Sequence, residues 1–357
     1  MGFVRTRVVT VLAAASLLPL ALTACTATPG GTTSSGSASA ATTDIVSLVK
    51  AGEKTDIAKL DSSLGEPTGD AKIKLCYITR TVSNEFWGYE RDGFEAAAKK
   101  YGVGFQTYAV TDEASITEQL DKANSALKSG CSALLASPIS ATALDSVFKE
   151  ALGKGIPSII LNDAQGTVPG VVYVGPDALT IGSTAADYIA NLLPDGGNVA
   201  MIEGDPGSSN AQNRGKGFKA QLANHPNLKL VASTTAKWDT NTAQTVAAGM
   251  LTANPDIKAF YSQNDGMAFG VQAAIAAKGL TGKVILVGTD GIPQAKKQIA
   301  EDKGYTATVS EMPTTEGSSG VKVALWLLAG KGVPAWVDVP AFVIDKANVA
   351  KYPTGMP

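Results

Sequence analysis

Residues 251–270 read LTANPDIKAFYSQNDGMAFG, and their reading decides the fold. Leu251 to Ala253 close an alanine-rich segment of helical period that begins at Thr242. Ala259 to Gln263 form a short run fit for a strand, and Met267 opens a second helical segment reaching Ala277. A short strand between two helices is the unit of a parallel sheet covered on both faces. Between strand and helix stand Gln263, Asn264 and Asp265, at the carboxyl end of the strand, where open α/β sheets bind their ligands.

The same rhythm runs outward from Lys72 to the C-terminus. Strands are expected at 73–79, 104–110, 132–137, 157–161, 171–174, 198–204, 228–234, 259–263, 284–288 and 306–310. Helices are expected at 93–101, 116–129, 141–154, 181–193, 214–223, 242–253, 267–277, 294–301 and 316–329. That is more strand than one doubly wound unit holds, so the fold expected is α/β with two doubly wound parallel-sheet lobes. Residues 44–70 stand outside the rhythm; Ile45, Val46, Leu48 and Val49 suit a short amphipathic helix leaning on the first lobe.

Bulk properties agree. The chain has 357 residues, 45% hydrophobic and 17% charged, which suits two folded domains of middling size. A net charge of −2 offers no basic footprint for nucleic acid. His225, the single histidine, lies in the turn-like ANHPNL, so a histidine-dependent triad or a multi-histidine metal site is not expected. Neither is a cofactor: NRGKGF lacks the Ser or Thr that a phosphate-binding loop carries after Gly-Lys. Cys76, in IKLCYIT, and Cys131, opening CSALLAS, read as small buried hydrophobes, and no disulfide is expected between them.

The N-terminus has the form of a leader. Arg5 and Arg7 precede an apolar run from Val8 to Leu22, and LTAC ends at Cys25. The run is too short for a comfortable membrane span. LTAC resembles the bacterial lipobox, which implies a signal peptide over 1–24, lipidation of Cys25 and a lipid anchor on the extracytoplasmic face of the cell membrane. Residues 26–43 contain Thr, Ala, Pro, Gly and Ser alone, a flexible tether with a mean reach of about 25 Å.

Polar residues gather at strand ends. Asn162-Asp163 end one strand, Gln263-Asn264-Asp265 another, Thr289-Asp290 a third, and Glu311 a fourth. Each alone suits a helix cap or a turn; the recurrence points to a polar ligand. Beyond the leader the arginines are Arg80, Arg91 and Arg214. Arg80 and Arg214 stand at strand-to-helix junctions, where a rigid fork of donors would read a ligand or tie a loop to the sheet. Arg91, beside Glu90 and Asp92, reads as a solvated residue. Trp87, with Phe86 and Asn84, and Trp238 stand in polar junctions, one per expected lobe. Facing indoles suit the dry face of a carbohydrate ring while polar tips bond its hydroxyls. Trp326 and Trp336 read as packing residues.

From about Lys72 onward the chain resembles the sugar-binding proteins of bacterial ABC importers, in the ribose-binding, type I periplasmic-binding-protein family. The resemblance is carried by SNEFWGYERDGFEAAAKKYG, GIPSIILND, GSSNAQNRGKGF, LTANPDIKAFYSQNDGMAFG, VILVGTDGIP and TATVSEMP, in that order. It implies capture of a monosaccharide or sugar alcohol by hinge closure, a membrane permease as partner, and a monomer. Asn84, Phe86, Trp87, Arg214, Trp238, Asn264 and Asp290 match its pocket positions. It further implies crossings near Pro176, Glu311 and Asp338, with lobes of 71–176 plus 312–338 and 177–311 plus 339–357. The chain departs from ribose binders at Asn162-Asp163, Glu311 and Arg80, so another pentose, a hexose or a linear polyol fits as well. A tethered sugar sensor would use the same residues. A glycoside hydrolase would use carboxylates such as Asp265 with Asp290 or Glu311, and the resemblance argues against it.

Overall fold

A computed structural model describes residues 2, 44–163 and 166–352 of the chain. Cys25, the tether and the leader beyond Gly2 lie outside the described residues. The two lobes both belong to the unit Thr42–Pro357.

Two sheets organise this unit. The first contains β1 (Val49–Asp56), β2 (Lys74–Thr79), β3 (Gly104–Ala109), β4 (Ala133–Ala136), β5 (Ser158–Leu161), β6 (Val172–Gly175) and β12 (Val333–Asp338), in the order β1-β12-β6-β5-β4-β2-β3. The second contains β7 (Gly197–Glu203), β8 (Leu228–Thr235), β9 (Ile257–Ser262), β10 (Ile285–Asp290), β11 (Ala307–Ser310) and β13 (Phe342–Asp345), in the order β13-β11-β10-β9-β7-β8. The chain passes from the first sheet to the second after Gly175, returns after Ser310, and passes again after Asp338. Every residue of β4, β5, β6 and β11 is buried, as expected of strands covered on both faces.

The helices are α1 (Ile45–Leu48), α2 (Ile57–Leu64), α3 (Glu85–Lys100), α4 (Ile116–Lys128), α5 (Asp145–Gly153), α6 (Ala178–Leu192), α7 (Ser209–Leu222), α8 (Thr240–Ala253), α9 (Asp265–Ala277), α10 (Pro293–Ala300) and α11 (Pro313–Leu328). Asn84, Asp177, Ser208, Asp239 and Asn264 cap α3, α6, α7, α8 and α9, each side chain accepting from a first-turn backbone N–H. α3 and α11 meet backbone to backbone. A Cβ on Gly93 would stand 2.1 Å from the Thr314 carbonyl oxygen, and one on Gly317 2.0 Å from that of Glu90. Glycine is required for that approach.

Four expectations change. α3 begins at Glu85 rather than 93, because Asn84 caps it, so Phe86 and Trp87 lie in its first turn. Residues 44–70 hold more than one short helix. β1 extends the first sheet by pairing parallel with β12, Val49 opposite Val333, and α2 buries Ile57 and Leu60 in that lobe's core. β13 runs antiparallel to β11 in an otherwise parallel sheet. Finally, Cys76 and Cys131 form a disulfide, with Cα atoms 5.7 Å apart. The expectation of two free thiols fails because β2 lies beside β4, Cys76 opposite Leu134, which joins positions distant in sequence.

The remaining tryptophans pack. Trp326 is fully buried in the first core. Trp336 meets Tyr173 edge-on at 5.6 Å and donates its indole N–H to the Gly175 carbonyl at 2.9 Å. Arg91 pairs with Asp92 at 2.7 Å on the surface.

Candidate ligand-binding site

The carboxyl ends of β2, β3, β5, β9 and β10 converge, with the N-termini of α3, α7 and α9, on one cavity. It is lined by Arg80, Asn84, Phe86, Trp87, Glu113, Asn162, Asp163, Asn210, Arg214, Trp238, Asn264 and Asp290. Residues after strands of both sheets contribute, so the cavity lies between the lobes.

The first sheet supplies one wall. Arg80, after β2, is buried and pairs with Asp163 at 2.5 Å, and it also donates to the Pro138 carbonyl. Its guanidinium lies 4.7 Å from the centre of the Trp87 ring, covering one face of the indole. Phe86 meets the same ring edge-on at 4.8 Å. Trp87 donates its indole N–H to Glu113 Oε1 at 2.8 Å, and Asn84 Nδ2 donates to the same oxygen at 2.9 Å. Asn84 thus caps α3 with its oxygen and fixes Glu113 with its nitrogen.

The second sheet supplies the other wall. Trp238, between β8 and α8, holds a left-handed backbone at φ 68°. Its six-membered ring rests on Gly204, where a Cβ would stand 2.1 Å from the ring. Asn162 and Asp290 also hold positive φ, at 60° and 118°. Such conformations persist where the surrounding structure over-determines them, and they cluster at functional sites. Asn264 caps α9 through a 2.8 Å bond from the Met267 N–H. The indole N–H of Trp238 and Nε of Arg214 are buried without a hydrogen-bond partner.

Beneath the cavity lies a chain of buried charge. Arg214 donates to Glu311 Oε1 and to the Gln263 carbonyl, both at 2.6 Å, and stands 4.0 Å from Asp290. Burial opposes its charge, but Glu311 and Asp290 outweigh that and raise its pKa. Burial, reinforced by Asp265 and Glu311, pushes the Asp290 carboxyl well above the usual range. Asp265 is not available for chemistry. It accepts from Tyr305, Thr308 and the Gly291 and Ile292 N–H groups at 2.6–2.9 Å.

The walls also touch directly. Asp163, after β5, accepts from Ser208 Oγ at 2.6 Å and from the Asn210 N–H at 2.9 Å, at the start of α7. Asn162 accepts from Asn210 Nδ2 at 2.6 Å.

All the residues expected at the site line the cavity except Glu311. Glu311 is fully buried below it, where it holds Arg214 and Asn162. Sequence reasoning missed Glu113 and Asn210. Glu113 follows β3, and the strand-end rule applied to that strand would have found it. Asn210 stands in the GSSNAQN loop before Arg214. Among the described residues no cluster of three or more His, Cys, Asp or Glu is placed to hold a metal, and no helix is long and apolar enough to cross a membrane.

Comparison with known proteins gives concordant results. The family described as periplasmic binding protein domain matches residues 75–332. The D-allose-binding periplasmic protein of Escherichia coli K12 is 35% identical over 263 residues, 71% of this chain and 84% of that one. A solved ABC transporter periplasmic solute binding protein from Actinobacillus succinogenes 130z with bound D-allose aligns with a TM-score of 0.75 at 30% identity, covering 79% of this chain and 100% of that one. A solute binding protein from Bacillus halodurans C-125 with bound myo-inositol aligns with a TM-score of 0.73 at 27% identity, covering 80% and 99%.

Proposed function

The chain belongs to the periplasmic binding protein family, and we propose from that premise that it is the solute-binding protein of an ABC importer, taking one monosaccharide or polyol into the cleft between its sheets. It binds its solute and does not transform it. The observation that carries the reading is the cavity itself. Indoles stand on both walls, and guanidinium, amide and carboxyl groups stand between them, at strand ends of both sheets. Rings supply a dry face and the polar tips meet hydroxyls. Guanidinium and amide groups donate while amide and carboxyl oxygens accept, so the set suits a hydroxyl-rich solute.

Closure of two lobes around the solute is a hinge movement for which periplasmic binding proteins are the standing example. Lobes of 71–176 plus 312–338 and 177–311 plus 339–357 would turn about the crossings near Pro176, Glu311 and Asp338. A solute that touches both walls favours the closed arrangement by contacts the open one lacks. The closed monomer would then dock on a membrane permease. Cys25, lipidated, would hold the protein to the extracytoplasmic membrane face; palmitate labelling lost in Cys25→Ala tests that anchor.

A thermal-shift screen with D-allose, D-ribose, myo-inositol and xylitol tests the ligand class. A solute that binds the native state raises the melting temperature by mass action. Absence of any shift at millimolar solute would remove the reading.

A further inference from the structure

Glu113 stands in the loop after β3 and lines both the cavity and a neighbouring pocket that shares Asn84, Trp238 and Asn264 with it. Its two carboxylate oxygens have different fates. Oε1 accepts two hydrogen bonds, from the Trp87 indole and the Asn84 amide, at 2.8 and 2.9 Å. Oε2 is buried and accepts none. The nearest cation, Arg80 Nη1, is 3.7 Å away, beyond hydrogen-bond reach. The paired donors on Oε1 fix the plane of the carboxylate and so the direction in which Oε2 presents its lone pairs. A buried charged acceptor with no donor is costly, and this one belongs to a residue that lines the cavity.

We propose that Glu113 is a specificity-determining residue whose Oε2 accepts a hydrogen bond from a solute hydroxyl. The proposal rests on the sugar- or polyol-binding reading of the same cavity. Glu113 joins two tasks: through Oε1 it holds the Trp87 ring and Asn84 in place, and through Oε2 it reads the ligand. A site built around such an acceptor rejects an analogue lacking the hydroxyl, because the acceptor is then left unpaired. Its negative charge also disfavours anionic solutes such as sugar phosphates and uronates.

Calorimetric titration of the wild type and Glu113→Gln with D-allose, myo-inositol and their monodeoxy derivatives tests this. The glutamine keeps an acceptor for Trp87 and Asn84 and replaces Oε2 with a donor; an unchanged melting temperature certifies its fold. For the solute that the wild type binds, the variant should lose at least tenfold in affinity. One monodeoxy derivative should bind the wild type at least tenfold more weakly than its parent, yet bind the variant nearly as well as the parent does. A purely structural role would instead weaken parent and every derivative by the same factor, and that result, or an affinity within twofold of wild type, overturns the proposal while leaving the binding function standing. Failure of the wild type to bind either parent, together with no shift from any solute of the thermal-shift screen, would overturn both.

Discussion

Arg214 and Asn162 are held by the same carboxylate. Glu311 accepts from Arg214 Nη2 at 2.6 Å through one oxygen and from Asn162 Nδ2 at 3.0 Å through the other. Arg214 belongs to α7, which packs on the second sheet, Asn162 follows β5 of the first, and Glu311 stands where the chain leaves β11. One buried acid thus orients polar groups from both walls.

Removing one member of that arrangement should therefore affect stability as well as binding. Arg214→Ala strands the Glu311 charge, and breaking a buried pair in this way costs about 3–5 kcal/mol. Adding Glu311→Gln should restore most of that loss in urea unfolding without restoring affinity. Equal stability of the single and double variants would contradict the coupling.

Trp238 is placed by what lies under it. Because a Cβ at Gly204 would stand 2.1 Å from the ring, Gly204→Ala must push the indole into the cleft or off its seat. Solute affinity should fall at least tenfold, with a stability cost of about 1–3 kcal/mol from overpacking. Titration and thermal unfolding of the variant check both.

The strand-end rule made much of this site legible. Asn162, Asp163, Asn264 and Asp290 are polar residues at the ends of apolar runs, and the hydrophobic period alone locates those runs. Glu113 obeys the same rule but is harder to read, because β3 is half-buried and its end carries a turn-like Thr-Asp-Glu. Glu311 looks like the other tips in sequence; its descent below the cavity depends on Arg214, a partner that only the fold supplies. The Cys76–Cys131 bond depends on β2 lying beside β4, a matter of strand order rather than of local pattern. β1 escaped because it is an edge strand with a mostly exposed, charged sequence, which shows no alternation to read.

Stability should depend on pH through Glu90. This carboxyl is fully buried, accepts from Tyr77 and Ser137, and is pushed up to about 7 by burial against the hydrogen bonds that favour its charge. Free in the unfolded chain it titrates near 4.5. Between those values the folded protein holds the proton and the unfolded chain has lost it, so stability falls as pH rises through the window. The melting temperature should be higher at pH 5 than at pH 7.5, and Glu90→Gln should flatten the difference. An unchanged slope in the variant would show that Glu90 does not carry the proton.

The disulfide closes a loop with a sequence separation of 55. Chain-entropy reasoning assigns such a loop about 4 kcal/mol of stability. Unfolding in urea with and without dithiothreitol should differ by an amount of that order, and Cys131→Ala should be insensitive to the reductant. Equal midpoints for the oxidised and reduced wild type would contradict the assignment.

The most direct measurement is calorimetric titration of D-allose and myo-inositol into the wild type and Trp238→Ala. A cleft walled by two indoles predicts one solute bound per chain by the wild type, for at least one of the two, with affinity at least tenfold weaker once the Trp238 ring is gone. Equal affinity of the two proteins for a solute that the wild type binds would contradict a carbohydrate site between these sheets.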